Sequence, residues 1–101
     1  MHTIQIKVLR RLSNPDLVER YNEPDVTLPC PVFEEGQEFI VQGSAQPEGF
    51  CSAAWQDLYK SFRILRHGGD MAGWMKHHDT IIACCSDGLR PVVFEMKRIA
   101  D

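Results

Sequence analysis

Four cysteines, at positions 30, 51, 84 and 85, are the side chains of this 101-residue sequence best suited to covalent or ligand chemistry. Each sits at the edge of a predicted element, and none lies inside an apolar run. Cys30 is held between Pro29 and Pro31, which restricts its backbone strongly. Cys51 opens a predicted helix, where unpaired backbone N–H groups and the positive end of the helix dipole favour a thiolate. It also belongs to the apolar stripe of that helix, so a small buried hydrophobe is the competing reading. Cys84 and Cys85 end a predicted strand just before Asp87-Gly88-Leu89-Arg90-Pro91. Neighbouring strand residues point to opposite faces, so at most one of the pair faces a given site, and parity alone does not say which.

Asp87 and Arg90 flank the turn after those cysteines, and a carboxylate and a guanidinium held there can orient a small polar or anionic molecule. Ordinary turn chemistry would use the same residues. The sequence therefore marks Cys51, Cys85 and Asp87 as candidate catalytic residues, with a thiolate as nucleophile or acid/base. Arg90, Trp55 and Cys30 are candidates for holding the ligand. An alternative is a metal site in which Cys30, Cys51 and Cys85 take zinc or another soft metal, with His67, His77 or His78 as fourth ligand. There is no C-x-x-C knuckle, and spacings of 21 residues (30 to 51) and 33 residues (51 to 84) match no zinc module. The adjacent His77 and His78 diverge on a strand or loop and read as a solvated pair. A third reading makes the chain a structural or interaction module whose cysteines are buried and inert. No phosphate-cradling Gly-rich loop, G-x-S-x-G elbow or H-E-x-x-H is present. Trp55, Trp74 and Phe50 are candidates for a pocket mouth, although a Trp on a helix stripe usually belongs to the core.

The elements that must position these groups follow from periodicity. Residues 3–9 alternate, with Ile4, Ile6 and Val8 on one face, as in a half-buried strand. Ser13-Asn14-Pro15-Asp16 predicts a helix start, and Leu17, Val18 and Tyr21 give that short helix an apolar face. From Glu23 to Glu35 the chain is irregular and punctuated by prolines. Phe39-Ile40-Val41 predicts a second strand. The Pro47-Glu48-Gly49-Phe50 turn leads into a long helix over about 51–66, whose stripe is Cys51, Trp55, Leu58, Phe62 and Leu65. Gly68-Gly69 stops it. Thr80–Cys85 is a third strand, Asp87-Gly88 supplies a hairpin turn, and Val92–Ile99 returns as a fourth. The order β-α-β-α-β-β predicts an α+β domain over residues 1–101, a mainly antiparallel four-stranded sheet with the long helix packed on one face. A domain this small has little room for a deep pocket, so a site at or near the subunit interface of a homo-oligomer is expected.

With 44% hydrophobic and 25% charged residues, the chain needs no metal or disulfide to form a core. A net charge of −3 argues against nucleic acid as a partner. The densest basic patch, Lys7 to Arg11, is interrupted by Val8 and Leu9. No stretch approaches the ~20 apolar residues that span a bilayer, and Met1 to Lys7 contain no apolar signal core. The expectation is a cytoplasmic protein without membrane contact, in a compartment where thiols stay reduced.

Nearly the whole chain resembles a family of short, uncharacterised prokaryotic proteins. The resemblance rests on Cys30-Pro31, Gly36-Gln37-Glu38-Phe39, Pro47-Glu48-Gly49-Phe50-Cys51, Trp55, Gly68-Gly69 and, most specifically, Cys84-Cys85-Ser86-Asp87-Gly88-Leu89-Arg90-Pro91-Val92. It implies that Cys30, Cys51, Cys85 and Asp87 are signature positions and that Cys84 is more dispensable. It implies no activity.

Overall fold

Alternation in the sequence becomes a four-stranded, wholly antiparallel sheet in the computed structural model, which describes residues 1–100. The elements are β1 (Thr3–Arg11), α1 (Pro15–Tyr21), β2 (Glu38–Val41), α2 (Ser52–Arg66), β3 (Thr80–Cys84) and β4 (Val92–Ala100). Strand order is β2-β1-β4-β3, so the first and last strands pair at the centre. The α+β class and the β-α-β-α-β-β order expected from the sequence are those observed.

One face of the sheet is apolar across its centre. Ile4, Ile6 and Val8 of β1, Val92, Phe94 and Met96 of β4, Ile81 of β3 and Val41 of β2 all point to it and are buried. Across from them α2 contributes Ala54, Trp55, Leu58, Phe62 and Leu65, a stripe at helical spacing that is also buried. Each fully buried Leu or Phe here contributes roughly 1.5–3 kcal/mol of apolar transfer. The molecule measures only 20 Å along its shortest axis, the depth of one sheet and one helix layer. The other sheet face carries no helix and presents Gln5, Lys7, Glu95 and Lys97 beside the exposed Ile40 and Ile82.

The irregular segment before β2 is placed by packing. Phe33 is buried at 2% exposure and meets the rings of Phe39, Phe50 and Phe94 edge-on, with centroids at 6.0, 5.0 and 5.2 Å. Arg11, at the end of β1, donates from Nη1 to the carbonyls of Cys30 at 3.3 Å and Phe33 at 3.0 Å. The prolines limit the backbone here, but one aromatic anchor and one arginine fork decide where the segment lies.

At the far end of α2, Gly68 adopts φ +87°, the left-handed conformation that terminates a helix cheaply only with glycine. Arg98 of β4 donates from Nη1 to the carbonyls of Leu65 and Gly69, each at 2.9 Å, tying the helix end to the central sheet.

Two local expectations are corrected. The apolar face expected for α1 does not pack: the helix has no buried residue, Leu17 is exposed and Tyr21 is 69% exposed. A seven-residue helix has too few turns to carry a stripe to the core, and the side chain of its N-cap residue, Asn14, bonds the Gly88 carbonyl instead of the helix. Second, β3 and β4 do not meet in a two-residue Asp87-Gly88 hairpin. The ladder closes with the Cys85 N–H on the Val92 carbonyl at 3.0 Å, and residues 86–91 form a longer loop. Asp87 turns that loop locally instead, through bonds to the N–H groups of Leu89 and Arg90.

Candidate functional site

Beyond the ladder, the exit of β1 runs alongside the 86–91 loop and holds it. The Leu12 N–H donates to the Pro91 carbonyl at 2.7 Å, and the Asn14 N–H donates to the Leu89 carbonyl at 2.9 Å. The Asn14 side chain donates to the Gly88 carbonyl at 2.7 Å rather than capping α1. On the other flank, Asp57 of α2 accepts the Ser86 N–H at 2.7 Å. The loop is thus pinned from two sides, and its chemistry is carried on a fixed frame.

Between this loop, the start of α2 and the Cys30–Phe33 segment lies a pocket of about 220 Å³. Cys30, Cys51 and Cys85 all line it, together with Asp87 and Arg90. Three elements bring these residues in. The proline segment delivers Cys30 because Phe33 is buried. The N-cap of α2 delivers Cys51, because the helix proper begins at Ser52. The end of β3 delivers Cys85. Its apolar walls are Val32, Phe33, Ala53, Ala54 and Val92.

The fold also decides between the vicinal cysteines. Ile81 and Ala83 share a parity that faces the core, and Cys85 continues it, whereas Cys84 shares the outward parity of Ile82 and is exposed. Cys85 Sγ accepts the Val92 N–H at 3.2 Å, a bond that orients the sulfur at the pocket wall. Partial burial of its sulfur pushes the Cys84 thiol up, and the neighbouring Cys85 and the Asp57 carboxylate push it the same way. Cys84 therefore ionises less readily than an ordinary thiol, and it lies outside the pocket.

Cys51 sits at the N-cap with its side chain making no capping bond, and no acidic residue occupies the first turn of α2. The partial positive charge of this helix end is left uncompensated beside the pocket. Asp87 has both oxygens committed. Its Oδ1 accepts the N–H groups of Leu89 at 2.9 Å and Arg90 at 3.1 Å, and Oδ2 lies 3.6 Å from Arg90 Nε. Burial works to raise its carboxyl, but the two N–H bonds and the Arg90 guanidinium outweigh that and hold it below the usual carboxylate range. Asp87 therefore shapes the loop and sets Arg90. Arg90 is further steadied by a bond from Nη1 to the Thr27 carbonyl at 3.1 Å.

Trp55 does not reach the site. It is buried in an aromatic cluster with Phe50, Tyr59 and Phe62, at ring-centroid distances of 6.1, 5.6 and 4.9 Å. Its position on the helix stripe faces the sheet, so core packing claims it. Phe50 is likewise core, and Trp74 stands 82% exposed on the loop before β3. His67, His77 and His78 belong to that same connection and do not line the pocket. Among the described residues no group of three His, Cys, Asp or Glu side chains is placed to hold a metal ion. The three thiols share a wall without forming the ligand set that the zinc alternative requires. Asp57 and Ser86 line the pocket and were not singled out from the sequence. Asp57 lies six positions beyond Cys51 on α2, off the apolar stripe, and reads there as an ordinary solvated charge.

No helix among the described residues is long and apolar enough to cross a membrane. No family model, curated protein or solved structure matches the chain.

Proposed function

We propose that the pocket binds a small polar or anionic molecule and that a cysteine in its wall, Cys51 or Cys85, acts on that molecule as a nucleophile or acid/base. The observation that carries this reading is the convergence of Cys30, Cys51 and Cys85, distant in sequence, on one pocket with Asp87 and Arg90. The meeting point lies at element ends, beside a guanidinium and a helix N-terminus, where sites are commonly built. Asp87 orients Arg90, and Arg90 holds the ligand. The positions marked by the family resemblance, Cys30, Cys51, Cys85 and Asp87, are those of this wall. A cytoplasmic, reducing setting would keep the thiols available. The pocket is shallow in a two-layer molecule and its rim carries the exposed Val32. A second copy of the chain covering that rim would complete it, which is the homo-oligomer that sedimentation at micromolar concentration tests.

The test of the thiol reading is the labelling rate of each cysteine with iodoacetamide, mapped by peptide mass spectrometry in the folded chain and in urea. At least one of Cys51 and Cys85 is expected to react ahead of the exposed Cys84. Pocket thiols that stay silent until the chain unfolds would make them structural, and one metal per chain by native mass spectrometry, lost with Cys30→Ser, would make them ligands.

A further inference from the structure

Two charged groups of the pocket that keep unused capacity, Asp57 and Arg90, have opposite signs. Asp57 spends Oδ2 on the Ser86 N–H, and no donor among the described residues reaches Oδ1. Arg90 spends Nη1 on the Thr27 carbonyl and turns Nε to Asp87, and no acceptor among the described residues reaches Nη2. Asp57 and Arg90 form no ion pair with each other, although both line the same pocket. Each sits on a separate support, Asp57 on α2 and Arg90 on the loop held by Asp87. A ligand carrying one charge would satisfy one of them and face repulsion from the other.

We infer that the pocket takes a small zwitterion of the amino-acid class, with its ammonium on Asp57 Oδ1, its carboxylate on Arg90 Nη2 and a disulfide-bearing side chain against the thiol wall. The inference rests on the thiol-site reading above and specifies its ligand. Size agrees: a pocket of about 220 Å³ has room for one amino acid. The thiol wall of Cys30, Cys51 and Cys85 suits a disulfide, because a thiolate attacks a disulfide sulfur. The S–S bond breaks, a mixed disulfide forms, and the departing thiolate takes a proton from water.

The test uses three disulfides that differ in charge: cystine (zwitterionic), cystamine (cationic) and 3,3′-dithiodipropionate (anionic). Mixed-disulfide formation at Cys51 and Cys85 is followed by intact mass and peptide mapping. Each rate is divided by the rate of the same probe with the chain unfolded in urea. Cystine is expected to exceed both other probes by about tenfold, the value of one charged contact near 1.4 kcal/mol. Asp57→Asn keeps an oxygen for the Ser86 N–H and is expected to abolish the preference for cystine over dithiodipropionate. Arg90→Gln is expected to abolish the preference over cystamine. Equal rates for the three probes in the wild-type chain overturn the zwitterion, as does a preference for dithiodipropionate. If the pocket thiols still outpace Cys84 in either case, the thiol reading survives. If they do not outpace it with any probe, that reading fails as well.

Discussion

Truncating Phe33 separates the packing that builds the core from the packing that builds the site, since the same ring does both. Phe33→Ala removes a side chain that is 2% exposed and contacts three other rings edge-on. A Phe-to-Ala change in a core costs about 3–5 kcal/mol through lost transfer energy and the cavity left behind. Edge-to-face ring pairs add to this, which favours the upper half of that range. A domain of this size has about 5–15 kcal/mol in all, so the variant stays mostly folded unless the parent lies at the lower end. In urea at pH 7, with a slope of ~2 kcal/mol/M, a loss of about 4 kcal/mol moves the midpoint down by about 2 M. The second readout is local. Phe33 holds the segment that carries Cys30, so Cys30 is expected to label several-fold faster in folded Phe33→Ala, while Cys84 on the outer sheet face is unchanged. The milder Phe33→Leu should give smaller shifts of the same kind. A loss below about 1 kcal/mol, or a Cys30 rate that does not change while the midpoint falls, would refute the claim that this ring positions the site.

Acid sensitivity should trace in part to the 86–91 loop. The folded Asp87 carboxyl lies below its ordinary value of 3.8, so its contribution to stability is present above pH 3.8 and is lost as pH falls through the lower folded value. Asp87→Asn should therefore show a stability deficit that is constant above about pH 5. That deficit should close in more acidic solution, and it should stay within about 1 kcal/mol because the carboxylate is over a third exposed and screened. Asp79, lowered chiefly by the Thr80 hydroxyl bond, titrates in both chains and cancels in the comparison. A deficit that widens toward low pH contradicts the assignment. Arg98→Met keeps the aliphatic stem but removes the bonds to the carbonyls of Leu65 and Gly69. It should cost about 1–3 kcal/mol by urea denaturation and speed amide hydrogen exchange in the last turn of α2. Unchanged exchange there would mean that Gly68 and Gly69 end the helix without it.

Strand and helix faces were legible in the sequence because periodicity reports which side of an element meets apolar surroundings. Ile4, Ile6 and Val8 read as a strand face, and Leu58, Phe62 and Leu65 as a helix face, without knowledge of what lies opposite. The ends of elements were legible for the same local reason. Gly68-Gly69 stops α2, and Asp87 binds N–H groups two and three residues ahead, wherever the loop sits. Cys30, Cys51, Cys85, Asp87 and Arg90 could be picked out as a set, but not their arrangement. Meeting depends on strand order, and β1 beside β4 is a pairing of distant segments that local pattern does not encode. The choice of Cys85 over Cys84 required knowing which face α2 covers. Trp55 is identical in type whether it lines a pocket or fills a core, and only the sheet packed against its stripe decides. Asp57 joins the pocket because the Ser86 N–H comes within 2.7 Å of it. That contact exists only after α2 and the β3–β4 connection are docked, since side-chain chemistry is local and proximity is a property of the whole fold.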